Sequence, residues 1–306
     1  MININELKGY EYITDSTGQR LAIERSTGEV RQSTVIEAPI GTIFYTPEQQ
    51  MAYRERKQRE AERSFSRAAN KPLGNYFFVP TNERFVGIAP ETVTRLIYLN
   101  TFTGFESNKL MLTQRTPIYY KDLPQVLGLS KATVFRFWKE VSPEYIVEAE
   151  SGLIFTNENI FRRGHIKHSA EYTRYQKIYT NGVRTLYETT ARGNHRQLGY
   201  FFKLLPYINI EYNLLCYNPT ETDIEKLELL SVAEFCRLIG YDVLHINKLL
   251  AIYRDVSFEV DGKQERFCAI AYDGINKAGA KICINPHILY CGSNYKQVEI
   301  LGAFCK

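Results

Sequence analysis

The chain has few residues of the kinds that form metal clusters, disulfide bonds or membrane-spanning segments. Its six cysteines are confined to the C-terminal third of the 306 residues, and no two of them have the short spacing of zinc ligands. We therefore expect reduced, mostly buried thiols, and neither a metal site nor a cofactor. A long apolar run and a basic-then-apolar leader are also absent, which predicts a cytoplasmic protein with no membrane contact.

Catalytic motifs are scarce as well. There is no glycine-rich loop ending in Gly-Lys-Ser or Gly-Lys-Thr, so ATP-driven activity is not expected. His165-Ile-Lys-His168 lacks the His-hydrophobe-His order of rolling-circle nickases. The 22 tyrosines have no accompanying set of arginine and histidine residues of the kind that a tyrosine recombinase uses. The sequence therefore predicts a protein without enzymatic activity.

The excess of positive charge is small over the whole chain but is concentrated in one segment. The net charge is only +4, so overall basicity does not indicate a nucleic-acid partner. Between Arg54 and Lys71, however, seven basic residues stand against three acidic ones, a surplus as large as that of the whole chain. This region is rich in Glu, Arg, Gln and Ala, which predicts a charged helical arm over residues 46–72. Its candidate phosphate contacts are Arg54, Arg56, Lys57 and Arg59, although mixed charges are also typical of a helix that merely faces solvent.

Before this arm, residues 1–45 have the pattern of a small β-rich appendage. Short β-prone runs at 10–13 and 21–23 are separated by the turn sequences Asp15-Ser-Thr-Gly18 and Ser26-Thr-Gly28.

The rest of the chain contains a loose internal repeat, in which residues 76–164 recur as residues 200–292. The repeat predicts a first domain at 73–168, a connecting segment at 169–197 and a second domain at 198–306. Within the connecting segment, tyrosines at helical spacing predict a helix over residues 171–190, and Arg192–Gln197 should form a short basic linker. The matched segments are Gly74–Phe78 with Leu198–Phe202, Lys109–Leu112 with Lys226–Leu229, and Ile154–Gly164 with Ile282–Gly292.

The most informative segment, residues 119–141, predicts a helix, a tight turn and a second helix. Gly128 permits the turn and Ser130 caps the second helix. Val134, Trp138 and Val141 then form one apolar stripe that should face the core. The opposite face provides the cations and apolar groups that read base edges in a major groove, namely Lys131, Thr133, Phe135, Arg136 and Lys139.

A hairpin that turns at Ser151-Gly152 is predicted directly after this helix, where a winged helix carries its wing. Glu148 and Glu150 make this hairpin acidic, which is unusual for an element that touches phosphates. We therefore expect the backbone contacts to come from residues just after the hairpin, namely Arg162, Arg163 and Lys167.

Residues 231–253 repeat the layout. Ser231 and Glu234 predict a capping box, Gly240 a turn, and Ile246, Leu249 and Leu250 a core face. Asp261-Gly262 predicts a second hairpin. The outward residues Val243, Leu244, His245, Asn247 and Lys248 are less cationic than their counterparts, so this face suits DNA, through His245, Asn247 and Lys248, or a protein partner.

Leu127-Gly-Leu-Ser-Lys-Ala-Thr-Val134 together with Ile284-Asn-Pro-His-Ile-Leu-Tyr-Cys-Gly292 resembles winged-helix plasmid replication proteins of the RepL type and related phage regulators of Gram-positive bacteria. The resemblance covers both repeats but not the first seventy residues, and the pattern is doubled here. It implies a DNA-binding role in a mobile element.

We therefore expect an α+β protein with two tandem winged helix-turn-helix domains, which binds double-stranded DNA at a replication origin or an operator. Replication initiation is slightly favoured over transcriptional regulation, and a winged-helix adaptor that binds proteins is the alternative of another class. A homodimer or the replication or transcription machinery are further candidate partners.

Overall fold

The computed structural model describes residues 10–18, 20–32, 47–83, 85–166, 175–273, 276–302 and 304. It is a mixture of helices and strands, in agreement with the expected α+β composition. By its internal contacts the chain divides into two units, Met1–Glu60 and Ala61–Lys306.

The described helices and strands are as follows. The helices are α1 (Pro47–Ala69), α2 (Pro90–Asn100), α3 (Leu123–Val126), α4 (Lys131–Val141), α5 (Thr180–Thr189), α6 (His195–Phe202), α7 (Val232–Ile239), α8 (Ile246–Asp255) and α9 (Lys296–Gly302). The strands are β1 (Tyr10–Thr14), β2 (Arg20–Glu24), β3 (Val30–Gln32), β4 (Tyr76–Pro80), β5 (Ile146–Glu148), β6 (Ile154–Thr156), β7 (Tyr175–Tyr179), β8 (Ser257–Val260), β9 (Lys263–Arg266), β10 (Cys268–Asp273) and β11 (Asn276–Ile284).

The β-rich appendage is a three-stranded antiparallel meander in the order β1, β2, β3. Its register pairs Tyr12 with Ala22, and Ala22 with Arg31. Both predicted turns connect these strands, with Gly18 and Gly28 at positive φ angles of 83° and 72°. The predicted charged helix is also present, as the 23-residue α1.

The second unit contains two segments with matching backbone hydrogen bonds. In each segment a helix, α2 or α6, precedes an irregular turn, a pair of helices and a hairpin. The matching bonds, donor amide first, are Met111 to Phe102 and Cys216 to Tyr207, Leu110 to Ile154 and Leu215 to Ile282, and Ile118 to Leu110 and Leu230 to Leu215. These shared bonds support the expected internal repeat.

Three pairs of segments were predicted to be equivalent in the two repeats, and the structure confirms only one of these pairs. Residues 154–164 and 282–292 do correspond, since Ile154 and Ile282 accept equivalent bonds. Residues 74–78 and 198–202 do not, because the first segment enters β4 and the second lies in α6. Lys109 corresponds to Leu214 instead of Lys226, because Lys109 bridges Phe155 as Leu214 bridges Cys283. The two short matches shared too few residues to define the alignment of the repeats.

The two segments meet at the antiparallel pair of β4 and β7, in which Phe78 lies opposite Lys177. On its other side, Phe78 exchanges backbone hydrogen bonds with Arg162, at 2.7 and 3.1 Å. Lys177 accepts a bond of 3.1 Å from the amide of Tyr290, which is the repeat equivalent of Arg162. Both strands have the same order of buried and half-buried residues. The second repeat therefore begins at β7.

The sequence predicted a connecting helix over residues 171–190, and this is wrong for Tyr175–Tyr179, which form β7. Tyr175, Tyr179 and Val183 have helical spacing, but alternate residues Gln176 and Ile178 are fully buried. Pairing with β4 satisfies this two-residue period, and the helix begins only at Thr180.

The predicted basic linker at Arg192–Gln197 is also wrong, because these residues form a 3₁₀ turn and the start of α6. His195 and Gln197 are buried, and the Thr94 hydroxyl of α2 donates to the His195 carbonyl at 2.7 Å. The predicted boundary at residue 198 thus falls inside a helix that packs on α2. One cluster of buried apolar residues extends through both repeats.

The described cysteines are free thiols, and Cys216, Cys236, Cys268 and Cys283 are buried, as expected. Burial raises the pKa of Cys216 and of Cys236 to about 11 each. These thiols are therefore protonated and unreactive at neutral pH. Cys305 lies outside the described residues.

Candidate nucleic-acid interface

The first helix pair is organised by short-range interactions. Gly128 has a φ of 62°, which lets the chain turn directly after α3. The Leu129 amide donates to the Pro124 carbonyl at 2.9 Å and closes the turn. Ser130 then caps α4, because its hydroxyl accepts the Thr133 amide at 3.3 Å. These features follow the predicted positions residue for residue.

The buried face of α4 differs from the prediction at one position. Val134, Phe137 and Val141 are at most 1% exposed. Trp138 is only half-buried, and its ring packs edge-on against Tyr120 at 5.0 Å. Trp138 packs against the core as predicted, but at its edge, and Phe137 is the fully buried aromatic residue. The two aromatic residues are adjacent on the same side of the helix, so spacing alone did not distinguish the core from its edge.

The other face of α4 is cationic and aromatic. Lys131, Arg136 and Lys139 are exposed, and Phe135 is 52% exposed. The Lys139 ammonium lies 4.8 Å from the centre of the Phe135 ring. Four of the five predicted reading residues are therefore exposed to solvent.

Thr133, the fifth predicted reading residue, belongs to the cap of α4. It is half-buried, and its hydroxyl lies 2.9 Å from the Ser130 hydroxyl. The hydroxyl of Thr133 is therefore engaged in the cap, and contact of this residue with a base stays a prediction. The nearby carboxylate of Glu140 is also engaged, since it accepts the Ala89 amide at 3.1 Å.

The predicted first hairpin is present as β5 and β6, with Val147 opposite Phe155. Gly152, at a φ of 76°, donates from its amide to the Ala149 carbonyl and closes the turn. The side chain of Glu148 is exposed and that of Glu150 is exposed as well. The hairpin surface is thus acidic, as the sequence indicated.

The cations after this hairpin are less available than expected. The Arg163 guanidinium donates to the Thr103 carbonyl at 3.0 Å, and burial lowers its pKa. Arg162 is half-buried beside β4. Arg163 therefore uses part of its guanidinium to brace the Thr103 turn, and its contact with phosphates stays a prediction. Lys167 lies outside the described residues.

The second helix pair also has the predicted local features. The Ser231 hydroxyl accepts the Glu234 amide, while the Glu234 carboxylate accepts from Ser231, and this hydrogen bond lowers the pKa of Glu234. Gly240 takes the left-handed conformation at a φ of 70°. The three predicted core residues of α8, Ile246, Leu249 and Leu250, are buried. Asp261-Gly262 forms the turn between β8 and β9.

The exposed surface of this second pair is mixed. Asn247 and Lys248 are exposed, and His245 lies 3.8 Å from the carboxylate of Asp242. Leu244 is 86% exposed, the largest value among the exposed apolar side chains of the described chain. This surface therefore presents the exposed Lys248 beside an unusually exposed leucine.

In the first unit, the predicted arm cations are all exposed on α1. Arg59 pairs with Glu55 at 2.8 Å and Arg56 with Glu60 at 3.4 Å, each one helical turn away. Such exposed pairs contribute little to stability and separate easily. The positions of these cations do not conflict with phosphate contact.

The structure also forms a cationic cleft that the sequence did not reveal. Arg67 and Lys71, from the end of α1 and the turn after it, lie beside Lys177 of β7 around a cleft of about 310 Å³. Its other lining residues, all neutral, are Ser66, Asn70, Gly74, Asn75, Tyr76 and Tyr179. The spacing of the tyrosines around Lys177 predicts a helix there. Only the pairing of β7 with β4 brings Lys177 beside Arg67 and Lys71.

Among the described residues, no helix has the length and apolar character needed to cross a membrane. No protein-family model, curated protein or solved structure matches the chain.

Proposed function

We propose that this protein is a sequence-specific binder of double-stranded DNA, in which each repeat of the second unit is a winged helix. The observation that carries the proposal is the division of α4. One side, with Val134 and Phe137, is anchored in the core, while Arg136 and Lys139 on the opposite side, and Lys131 in the first turn, are exposed to solvent. A capped helix of this kind, placed after a tight turn and before a hairpin, is the reading element of helix-turn-helix proteins.

The chemistry of α4 suits a major groove. Eleven residues give a helix about 16 Å long, which enters a groove about 12 Å wide end-on or obliquely. Arg136 and Lys131 supply donors for guanine, and Phe135 supplies an apolar contact for a thymine methyl. Thr133 is omitted from this set because its hydroxyl is engaged in the cap.

Phosphate contacts are proposed for the cationic cleft of Arg67, Lys71 and Lys177. Three cations around one opening attract a phosphate more strongly than isolated surface lysines do, because their potentials add. The cleft thereby supplies the positive charge that the acidic hairpin lacks. Arg54, Arg56, Lys57 and Arg59 are proposed as additional, weaker contacts.

Within this class we favour a replication initiator of a phage or plasmid-like element, in line with the RepL-type resemblance. Two reading units in one chain are suited to an origin, where several sequence elements must be bound together. A transcriptional regulator of such an element is the alternative. Mapping the bound site to an array of repeats or to a promoter distinguishes the two.

The direct test is selection of sequences from a random duplex library, followed by base-specific protection of the winner. We expect protection over a defined site, and loss of the preference in Arg136→Ala. Arg25→Ala removes one positive charge from an exposed position in the first unit and is the matched control. Equal, sequence-independent binding by the wild type and by Arg136→Ala would contradict the proposal.

A second candidate, a protein-interaction adaptor, is favoured by Leu244 alone. A leucine 86% exposed beside α8 suits a protein contact better than a phosphate backbone. Sedimentation of the wild type and of Leu244→Ser tests self-association through this surface. A mass difference between the two would support a homodimer contact, and equal monomeric masses would remove it.

A further inference from the structure

Glu265, His287 and Glu299 converge on one point of the second unit, although they are far apart in sequence. Glu265 lies on β9, His287 follows β11, and Glu299 lies on α9. One ligand atom from each lies within 4.8 Å of the other two. His287 is 8% exposed, so its imidazole is held inside the protein between two carboxylates.

The spacing of these groups is too wide for hydrogen bonds. His287 Nε2 lies 3.7 Å from Glu299 Oε1 and 4.0 Å from Glu265 Oε1, beyond the usual limit of about 3.2 Å. Ligand atoms that share a tetrahedral ion at about 2.0 to 2.2 Å stand about 3.4 Å apart. A shift of a few tenths of an ångström would therefore bring all three atoms within bonding distance of one cation.

A single buried side chain holds two of these groups in place. Asn285 Nδ2 donates to Glu265 Oε2 at 2.8 Å, which turns the other carboxylate oxygen toward His287. Asn285 Oδ1 accepts the His287 amide, also at 2.8 Å. The edge of the Tyr295 ring packs on the imidazole, with the centres 5.8 Å apart. Outer contacts that orient an imidazole and a carboxylate in this way are typical of metal ligands.

We propose that Glu265, His287 and Glu299 bind one divalent first-row transition ion, with Zn²⁺ as the representative. An imidazole with two carboxylates is a donor set for zinc or manganese, whereas magnesium prefers oxygen ligands and water. The ion ties the C-terminal helix α9 to β9 and to the segment after β11, because each of these three parts provides one ligand. The spacing of the cysteines predicts no metal site. Glu265, His287 and Glu299 do not follow a known metal-binding motif, so the sequence could not reveal this one.

The test uses the full chain, freed of metal with a chelator, and titrated with Zn²⁺ in a calorimeter. We expect one ion per chain and a rise in melting temperature on binding. Glu299→Gln and His287→Gln should each weaken Zn²⁺ binding by tenfold or more and remove the rise. Glu259→Gln, an exposed position on the partner strand β8, is the matched control and should bind as the wild type does.

Two results would overturn the proposal. One is the absence of stoichiometric Zn²⁺ binding by the folded wild type, and the other is equal binding by wild type and Glu299→Gln. Equal affinity for Mg²⁺ would contradict a transition-metal site. If His287→Gln does not fold, Glu299→Gln tests the proposal by itself, because Glu299 is half-exposed and its substitution should leave the fold intact. Circular dichroism of this variant in the presence of chelator checks its fold. This site does not depend on DNA binding, so its failure leaves the proposed function intact.

Discussion

At the scale of residues, Arg136 and Phe137 are neighbours in α4 but differ completely in burial. Phe137 is 1% exposed, whereas Arg136 is exposed. Substitutions at the two positions should therefore separate DNA binding from stability.

Arg136→Ala is expected to lose about 1 to 3 kcal/mol of binding to the selected site and to relax the preference at one base pair. Its free energy of unfolding should change by less than about 0.5 kcal/mol, because the side chain is exposed. Binding titrations and urea unfolding, run beside Arg25→Ala, measure both quantities. Undiminished binding by Arg136→Ala would move the reading role away from α4.

Phe137→Ala should lower the free energy of unfolding by about 3 to 5 kcal/mol, because it empties a buried aromatic site. Trp138→Ala should cost less, since Trp138 is half-exposed and packs against the edge of the core and the ring of Tyr120. Urea unfolding of the two variants measures the order. A larger loss for Trp138→Ala would mean that the edge of α4 contributes more than its buried stripe.

His195 gives the protein a dependence of stability on pH. Burial lowers its pKa, helped by the charges of Arg95 and Arg192, although its Nε2 bonds to the carbonyls of Tyr187 and Thr190 act in the opposite direction. The folded protein thus keeps His195 neutral at a pH where the unfolded chain, with a pKa of about 6.5, takes up a proton. Stability should fall as the pH drops below about 6.5, until the folded pKa is passed.

Urea unfolding between pH 7.5 and 5.5 tests this linkage. His195→Gln should be less stable at pH 7.5 but should lose less stability on acidification. His245→Gln, at an exposed histidine, is the control and should follow the wild type. Parallel curves for wild type and His195→Gln would show that His195 does not titrate between these limits.

At the scale of elements, the helices α2 and α6 of the two repeats approach each other closely. A Cβ on Gly199 would lie 1.6 Å from the carbonyl oxygen of Pro90, so only glycine permits this approach. The contact is between backbones and has little room to relax.

Gly199→Ala should therefore destabilise the protein by about 1 to 3 kcal/mol or more, as overpacking does. Gly193→Ala is the matched control, because a Cβ there would meet no atom within 4 Å. Thermal and urea unfolding of the two variants provide the comparison. A neutral Gly199→Ala would mean that the two helices can separate at little cost.

Elements set by local signals could be predicted from the sequence, and those set by distant pairing could not. The turn at Gly128, the cap at Ser130 and the hairpin turns depend on residues a few positions apart. The strand β7 depends on β4, about 100 residues earlier, and its tyrosines also have helical spacing. The cleft at Lys177 was missed for the same reason, because it exists only once these strands pair.

At the scale of the whole molecule, the modest net charge of +4 conceals a local concentration of cations. If the cleft and the arm contact phosphates, DNA affinity should fall by about a decade or more between 50 and 200 mM salt. Lys177→Ala should weaken binding to all sequences alike and make the salt dependence shallower. Lys226→Ala, at an exposed lysine paired with Asp223, is the control. A salt-independent affinity would contradict electrostatic contact with a phosphate backbone.

The pairing of β4 with β7 has a geometrical consequence for the DNA site. Phe78 and Lys177 lie opposite each other, and each bonds outward to an equivalent residue, Arg162 or Tyr290. Two antiparallel strands paired in this way are related by a local half-turn. If the two repeats follow this half-turn and each binds DNA as proposed, one chain presents the pair of reading helices that most helix-turn-helix proteins obtain by dimerising. A site read by both α4 and α8 should then be an imperfect palindrome bound by a monomer, and its two arms should differ where the side chains of the two helices differ.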